Sequence, residues 1–286
     1  MSSPIRSVEV VSTGTVAIRP EHVASSHAPL LWWLLTSRRW TAPRPINVYV
    51  VEHEQGLVLF DTGQDRASVT DPHYFPKGIV GWLYGRLAKF QIGTEDTLPA
   101  ALARSGHDIG DVRYAILSHL HQDHIGGLAE LRHAEIVVND DEWRSLQRPD
   151  AALNGLMRGH IELPGLAWRR VSFTDGAGER VGEFPTSIDL FGDGSLILLS
   201  TPGHTPGSMS LLVRREGATP LLMVGDLTYD VALMPEERVP GVGDHAKLQA
   251  TTRAVNALRT IYPDLVILPA HDPSAADRLH RAEARN

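Results

Sequence analysis

The sequence predicts an α/β fold, on three observations. Apolar, β-prone runs recur, and several stop at a loop that opens with histidine or aspartate: Val112 to Leu117 before Ser118-His119, Leu57 to Asp61, Leu221 to Val224 before Gly225-Asp226, and Leu265 to Leu268 before Ala270-His271. Two hairpin patterns appear, one around Glu52-His53-Glu54-Gln55-Gly56 and one around Gly192-Asp193-Gly194. Helix-length amphipathic stretches are interspersed, the best being Asp244 to Ile261, with Leu248, Val255, Leu258 and Ile261 near helical spacing. The second half thus repeats the first half's logic of hairpin, strand and polar loop, a weak internal duplication.

In chain order, Val8 to Ile18 alternates loosely and reads as an edge strand or hairpin. The apolar N-terminal segment 28–45 follows, with Trp32, Trp33 and Trp40. It reads either as a short core helix or as a flap over a site or a dimer contact, since exposed Trp clusters mark binding surfaces. Ile46 to Val51 and Leu57 to Asp61 form the first hairpin. Residues 64–97 read as a loop-like insert carrying Tyr74, Phe75, Trp82, Tyr84 and Phe90, a pocket wall or subunit contact if not packed locally. Leu98 to Ser105 is helical, and Gly106 can end it. After the strand at Val112, Gly126-Gly127 supplies freedom for a tight turn. Leu128 to Arg132 begins a helix, Ala134 to Asn139 is a strand, Asp141 to Leu146 is helical, and the chain is then irregular to Gly165. Ser187 to Phe191 and Ser195 to Ser200 make the second hairpin. Met209 to Arg214 and Leu221 to Val224 continue the strands. Ala275 to Asn286 is a charged tail or helix with solvated basic residues.

Composition narrows the function. A hydrophobic content of 42% suits a water-soluble chain with a large core. The polar loops that open with His or Asp are spread from His119 to His271, so one domain over 1–286 is expected despite the length. The net charge of −7 argues against a nucleic-acid partner, which needs a basic stripe. There is no cysteine, so neither a disulfide nor a thiolate ligand is available. The run Ala28 to Leu35 is too short to span a bilayer, and Met1 to Thr15 lacks the pattern of a signal peptide. A cytoplasmic enzyme without membrane insertion is the expectation.

The chemistry concentrates in Ser118-His119-Leu120-His121-Gln122-Asp123-His124-Ile125-Gly126-Gly127. In extended backbone, side chains two apart point the same way, so His119 and His121 can grip one metal ion. Asp123 and His124, past the bend, can face a second. Imidazole suits zinc and its first-row neighbours, and a carboxylate adds charge. A His-rich loop without metal would bury unpaired polar groups at high cost.

This run resembles the H-x-H-x-D-H signature of the metallo-β-lactamase superfamily. Further pieces of that pattern follow in order: Asp61-Thr62-Gly63, Thr201 to Gly207 with His204, Gly225-Asp226, and Ala270-His271-Asp272. The resemblance implies an αββα sandwich of two mixed sheets flanked by helices. It implies that His119, His121 and His204 hold one divalent ion, that Asp123, His124 and His271 hold another, and that Asp226 bridges them. Zinc is the expected metal, with cobalt, iron or manganese as alternatives. Asp61 is implied to orient a ligand histidine.

Departures from the family's branches sort the chemistry. His121 stands where flavodiiron relatives carry Glu, which disfavours redox chemistry. The absent cysteine and the present Asp226 disfavour antibiotic hydrolysis. Tyr229, three residues after Asp226, matches the Asp-x-x-Tyr pattern of the N-acyl homoserine lactonases, and Met234 to Val242 resembles the acidic, Pro-containing segment that follows it there. A phenol donor beside the metals would stabilise a tetrahedral oxyanion, although a Tyr packed beneath the loop is the plainer alternative. The resemblance implies a lactone-opening hydrolase in which a metal-bridging hydroxide attacks and Asp123 shuttles a proton to the leaving alkoxide. Trp32, Trp33, Phe75, Trp82 and Phe90 are the candidate walls of an acyl pocket, and a homodimer is expected from the same aromatic segments. Thioester hydrolysis of the glyoxalase II kind, another ester or lactone substrate, a nuclease and a non-catalytic binding protein are the rivals.

Overall fold

The computed structural model describes residues 3–26, 28–174 and 178–285. Met1, Ser2 and Asn286, within the expected domain and tail, lie outside them. The strands are β1 (Ile5–Ile18), β2 (Arg44–His53), β3 (Gly56–Phe60), β4 (Ala88–Gln91), β5 (Val112–Ile116), β6 (Glu135–Asn139), β7 (Ala167–Val171), β8 (Ser187–Asp189), β9 (Leu196–Ser200), β10 (Met209–Val213), β11 (Leu221–Gly225) and β12 (Val266–Pro269). Seven form one sheet in the order β4-β1-β2-β3-β5-β6-β7, and five form a second in the order β12-β11-β10-β9-β8. Both are mixed: β3, β5, β6 and β7 run parallel, as do β11 and β12, while the other pairs are antiparallel.

The period of two in the strands explains the layering. Along β3, Val58 and Phe60 face the second sheet and join Leu196, Leu198, Leu211 and Met223 in the inter-sheet core. Leu57 and Leu59 face outward, where Leu98, Ala101 and Leu102 of a helix over Leu98–Arg104 cover them. In the second sheet, Ile197, Leu199, Leu212 and Leu222 face outward onto Leu248, Val255 and Leu258 of the helix His245–Leu258. Each sheet is therefore buried on both faces, which is why β10 is buried at all five positions. The result is the expected αββα sandwich.

Several details differ from expectation. β1 is not an edge strand, because Thr15 to Ile18 pair with β4 from inside the insert. The insert 64–97 is not loop-like: it carries short helices at Ala67–Thr70 and Ile79–Leu87 before β4. Its helix has no buried residue, so it lacked the core-facing pattern that would have revealed it. The helix expected to begin at Leu128 is a single 3-10 turn over Leu128–Glu130. β7 was not foreseen, since Ala-Trp-Arg-Arg-Val has no clear alternation and sits at a sheet edge. The C-terminal stretch is a helix over Ala275–Glu283, and Arg278 is not solvated: it pairs with Asp272 at 3.0 Å and donates to the Ile267 carbonyl.

Tyr49 of β2 ties the two sheets together, donating its buried hydroxyl to the Pro269 carbonyl of β12 at 2.7 Å. Tyr49→Phe should therefore lower unfolding stability by about 1 kcal/mol, read as a lower urea midpoint at unchanged m-value.

Candidate metal centre and pocket

The chain runs in the same direction along β3 and β5 in one sheet and along β9, β11 and β12 in the other. The loops leaving these strands meet at one end of the sandwich. Asp61 leaves β3, His119 to His124 leave β5, His204 follows β9, Asp226 follows β11 and His271 follows β12. All seven expected ligands are brought together there. Their donor atoms form three overlapping groups: His119, His121 and His204; His119, His124 and Asp226; and Asp123, His124 and His271, each within 4.8 Å.

The outer nitrogens of the histidines explain their orientation. His124 Nδ1 faces Asp61 Oδ2 at 2.8 Å, His271 Nδ1 faces the Pro45 carbonyl at 2.9 Å, and His121 Nε2 faces the Asn154 carbonyl at 3.0 Å. Each acceptor can only take a proton, so each of these nitrogens donates and the other ring nitrogen is left bare. Ser118 Oγ donates to Asp61 Oδ2 at 2.9 Å, so His119 Nδ1, 3.0 Å from the same hydroxyl, is the donor there too. The bare nitrogens all point inward. His121 Nδ1 lies 3.0 Å from His119 Nε2, a contact with no proton to share, and 3.0 Å from Nε2 of His204, whose Nδ1 is buried without a hydrogen-bond partner among the described residues. His124 Nε2, His271 Nε2 and Asp226 Oδ1 are buried and have no hydrogen-bond partner among the described residues. Such a set fits divalent cations.

Asp226 spans the two groups. Its Oδ1 is 3.4 Å from His124 Nε2 and from His271 Nε2, and its Oδ2 is 3.5 Å from His204 Nε2. Asp123 Oδ2 stands 3.4 Å from His271 Nε2 and keeps 18% of its side chain exposed. Burial pushes His119 and His204 well below the usual imidazole range, and neighbouring imidazoles push further, so both stay neutral. Burial alone would raise the Asp226 carboxyl, but His271 and His124 outweigh it and hold it well below its usual range, while Asp61 and Asp226 overcome burial to raise His124 well above its own: without a cation the cluster draws protons in its place. Burial, and then Asp226, push the Tyr229 phenol far up. Tyr229 donates its hydroxyl to Asp226 Oδ2 at 2.6 Å and stacks on His271 at 5.7 Å between centroids.

Asp61 itself adopts a positive φ of 64°, uncommon for a non-glycine residue and typical of strained functional positions. Its other oxygen accepts the Ser118 N–H at 2.7 Å, so one carboxylate sets both the turn and the histidine. Sequence reasoning missed three supports. Glu142, fully buried, accepts the N–H of Leu120 at 3.1 Å and that of Gly207 at 3.1 Å, tying the two ligand loops. Ser118 relays Asp61 to His119. His22 reaches the Tyr229 hydroxyl at 3.1 Å, and burial pushes it down to about 4. An acidic residue three positions after a β-prone run ending at Asn139 is the only sequence signal that points to Glu142. The role expected of Gly126-Gly127 also changes. Gly126 has ordinary helical φ and ψ of −61° and −25°, and glycine is required because a Cβ would lie 2.1 Å from the Asp65 nitrogen.

A cavity of about 560 Å³ opens over this floor. Its floor includes His121, Asp123, His204, Asp226, Tyr229 and His271, and its wall includes Val16, Ile18, Leu30, Val80, Leu83, Leu87 and Phe90. Of the five expected wall aromatics only Phe90 lines it. Trp33 is buried behind His22, at 6.3 Å between ring centroids. Trp32 and Trp82 are exposed, at 65% and 47%. Phe75 packs between Tyr74 and Tyr84. Helical phase decides this: the residues turned inward are Leu30, Val80, Leu83 and Leu87, smaller and less conspicuous in the sequence.

The metallo-beta-lactamase superfamily model matches residues 41–271. The chain belongs to the metallo-beta-lactamase superfamily. Within it, the chain is 33% identical over 234 residues to the N-acyl homoserine lactonase AttM of Agrobacterium fabrum, covering 81% of this chain and 83% of that protein. It is 29% identical over 205 residues to an N-acyl homoserine lactonase from a Bacillus species, covering 71% and 72%. Among solved structures, a B. thuringiensis AiiA variant with N-decanoyl-L-homoserine bound at its active site superposes with a TM-score of 0.74 at 23% identity, over 95% of this chain and 94% of that one. AidC, a dizinc quorum-quenching lactonase, superposes at 0.62 and 17% identity, over 95% and 91%. These superfamily structures share the sandwich.

Asp61→Asn keeps the shape but weakens the acceptor that fixes His124 and, through Ser118, His119. It should lower metal affinity by roughly 10- to 100-fold, measured by chelator competition, with the fold retained by circular dichroism.

Proposed function

We propose that this chain hydrolyses the ester bond of N-acyl homoserine lactones, opening the ring. The observation that carries this reading is the Tyr229 hydroxyl, placed 2.6 Å from Asp226 Oδ2 on the floor of a cavity whose wall is apolar. The similarity to AttM over most of both chains supports the same substrate class. His119, His121 and His204 would hold one divalent cation, Asp123, His124 and His271 a second, and Asp226 both, with zinc favoured by five imidazoles and no thiolate. Such a pair of ions lowers the pKa of a shared water towards neutrality and draws charge from an ester carbonyl.

The chain's own groups do the rest. The Tyr229 Oη–H turns from Asp226 to the lactone carbonyl oxygen as negative charge develops there. Burial, and then the Asp226 carboxylate, favour the protonated phenol, which keeps it a donor. As a water adds its oxygen to the carbonyl carbon and the ring C–O bond breaks, Asp123, the most exposed carboxylate of the set, takes up a proton of that water at Oδ and returns it to the ring oxygen as the alkoxide leaves. Leu30, Val80, Leu83, Leu87 and Phe90 bury the acyl chain, whose hydrophobic transfer holds the lactone over the floor. A cavity of this volume suits a drug-sized ligand and excludes a folded macromolecule.

A pH-indicator screen of the zinc-loaded protein tests this reading, using acyl homoserine lactones of several lengths, simple γ- and δ-lactones and S-lactoylglutathione. The acyl homoserine lactones should turn over fastest. S-lactoylglutathione is the informative rival, because Arg148 and Lys247 stand at the rim, although Asp150 holds Arg148 at 3.0 Å. Preference for the thioester, or no lactone turnover, would sink the reading. Tyr229→Phe should cut lactone kcat/KM by roughly tenfold or more at unchanged metal content.

Leu31, Trp32, Leu35, Ile79 and Trp82 are exposed on two helices that touch, Leu30–Thr36 and Ile79–Leu87. This apolar face supports a homodimer. Sedimentation should show two copies at micromolar concentration, and Trp32→Asp should shift the protein to monomer.

A further inference from the structure

We propose that His22 is a positioning residue for the Tyr229 phenol: it donates its Nε2–H to the phenol oxygen and fixes where that oxygen sits. The inference rests on the role given to Tyr229 in lactone opening. His22 lies in the single helical turn Pro20–Val23, outside every motif that marked the metal centre.

The protonation pattern follows from the partners. Asp226, a carboxylate, can only accept. The phenol has one hydrogen, and the 2.6 Å contact commits it to Asp226 Oδ2. Towards His22 Nε2, 3.1 Å away, the phenol oxygen can therefore only accept, so Nε2 carries the hydrogen. His22 Nδ1 is buried without a hydrogen-bond partner among the described residues. A bare Nδ1 costs less there than a charged ring with an unpaired N–H, which selects the neutral Nε2–H tautomer.

The ring is also held sterically. It meets Tyr229 edge-on at 5.1 Å and Trp33 at 6.3 Å, and the His22 carbonyl accepts the Gly241 N–H at 3.1 Å. Tyr229 is clamped from the other sides by the stacked His271 ring and by Arg44, which donates to its carbonyl at 2.8 Å. The chain His22 Nε2–H to Tyr229 Oη–H to Asp226 polarises along its length, so a donor into the phenol oxygen makes the phenol a stronger donor. When a lactone carbonyl competes with Asp226 for the phenol hydrogen, the oxygen stays in place and only its hydrogen turns. This gives the buried Trp33 a purpose: it is the wall behind His22.

The test uses zinc-loaded full-length protein, with metal content and melting temperature recorded for each variant. His22→Phe keeps an aromatic ring but removes the donor, and should lower kcat for a lactone about tenfold while KM moves less than about twofold. His22→Gln restores one N–H and should recover at least roughly a third of kcat. In a Tyr229→Phe background, His22→Phe should cost nothing further, because the group it positions is gone. Independently of any substrate, ¹⁵N NMR of the wild type, assigned through His22→Gln, should show His22 neutral and protonated at Nε2. Additive losses in the double variant, no rescue by Gln at equal metal content, or a cationic or Nδ1-protonated His22 would each overturn the proposal. If the wild type opens no lactone, the lactonase reading fails, and the NMR result still decides the tautomer.

Discussion

Everything at this end of the molecule follows from one constraint: the bare nitrogens of His119 and His121, held 3.0 Å apart at the floor, repel unless a cation lies between them. The chain does not leave their direction to chance. Outer nitrogens are tied to the Asp61 carboxylate, the Ser118 hydroxyl and the Pro45 and Asn154 carbonyls, so the inner ones cannot turn away. The strain at Asp61 belongs to the same scheme. A left-handed residue at the end of β3 aims its carboxylate along the β5 loop, and folding absorbs the cost because two hydrogen bonds to Ser118 come with it.

The centre is also the seam of the sandwich. Asp61 and His119 to His124 come from one sheet, while His204, Asp226 and His271 come from the other. A shift of the sheets by even an ångström would open the contacts. Three side chains lock the seam close to the floor: Tyr49 across to Pro269, Glu142 to both ligand loops, and Arg44 to the carbonyls of Tyr229 and His271. The helix His245–Leu258 adds a fourth support, since Thr251 donates to the Pro202 carbonyl two residues before His204. Packing and chemistry are thus coupled: the groups that hold the sheets together also hold the ligands in register.

What the sequence revealed and what it hid divide along a physical line. Ligands were legible because they are local: a period-two run ends, and titratable residues follow within a few positions, as at His119, Asp226 and His271. The hairpins and the helix from Asp244 were legible for the same reason, through turn glycines between β-prone runs and through Leu248, Val255 and Leu258 at helical spacing; in the structure Asp244 also caps that helix, accepting the Lys247 N–H. Glu142, Ser118 and His22 act across 22 to 207 positions of chain, and no local pattern encodes such pairings. The pocket wall was misjudged because aromatic residues were weighed by size. Inside the helix Ile79–Leu87, Val80, Leu83 and Leu87 share the inward phase that Trp82 lacks. β7 was invisible because only Val171 of this edge strand is buried, and the Arg169-Arg170 pair interrupts any apolar alternation.

That wall is built differently from the floor, and the difference bears on how substrate range can change. The insert joins the main sheet through β4, which pairs only with the end of β1, and its helix buries none of its own residues. Substitutions at Val80, Leu83 or Leu87 would alter acyl-chain fit without moving any ligand, because no hydrogen bond of the metal floor passes through them. The floor has no such freedom. His119, His124, Ser118 and Asp61 share one hydrogen-bond network, and Glu142 ties the loops that carry the ligands, so a change at one is felt at the others. Tyr229 stands at the junction, bonded to Asp226 on the floor and packed with Val16, Ile18 and Ile46 towards the wall. It is therefore the residue through which a displaced acyl chain would be felt by the reacting carbonyl.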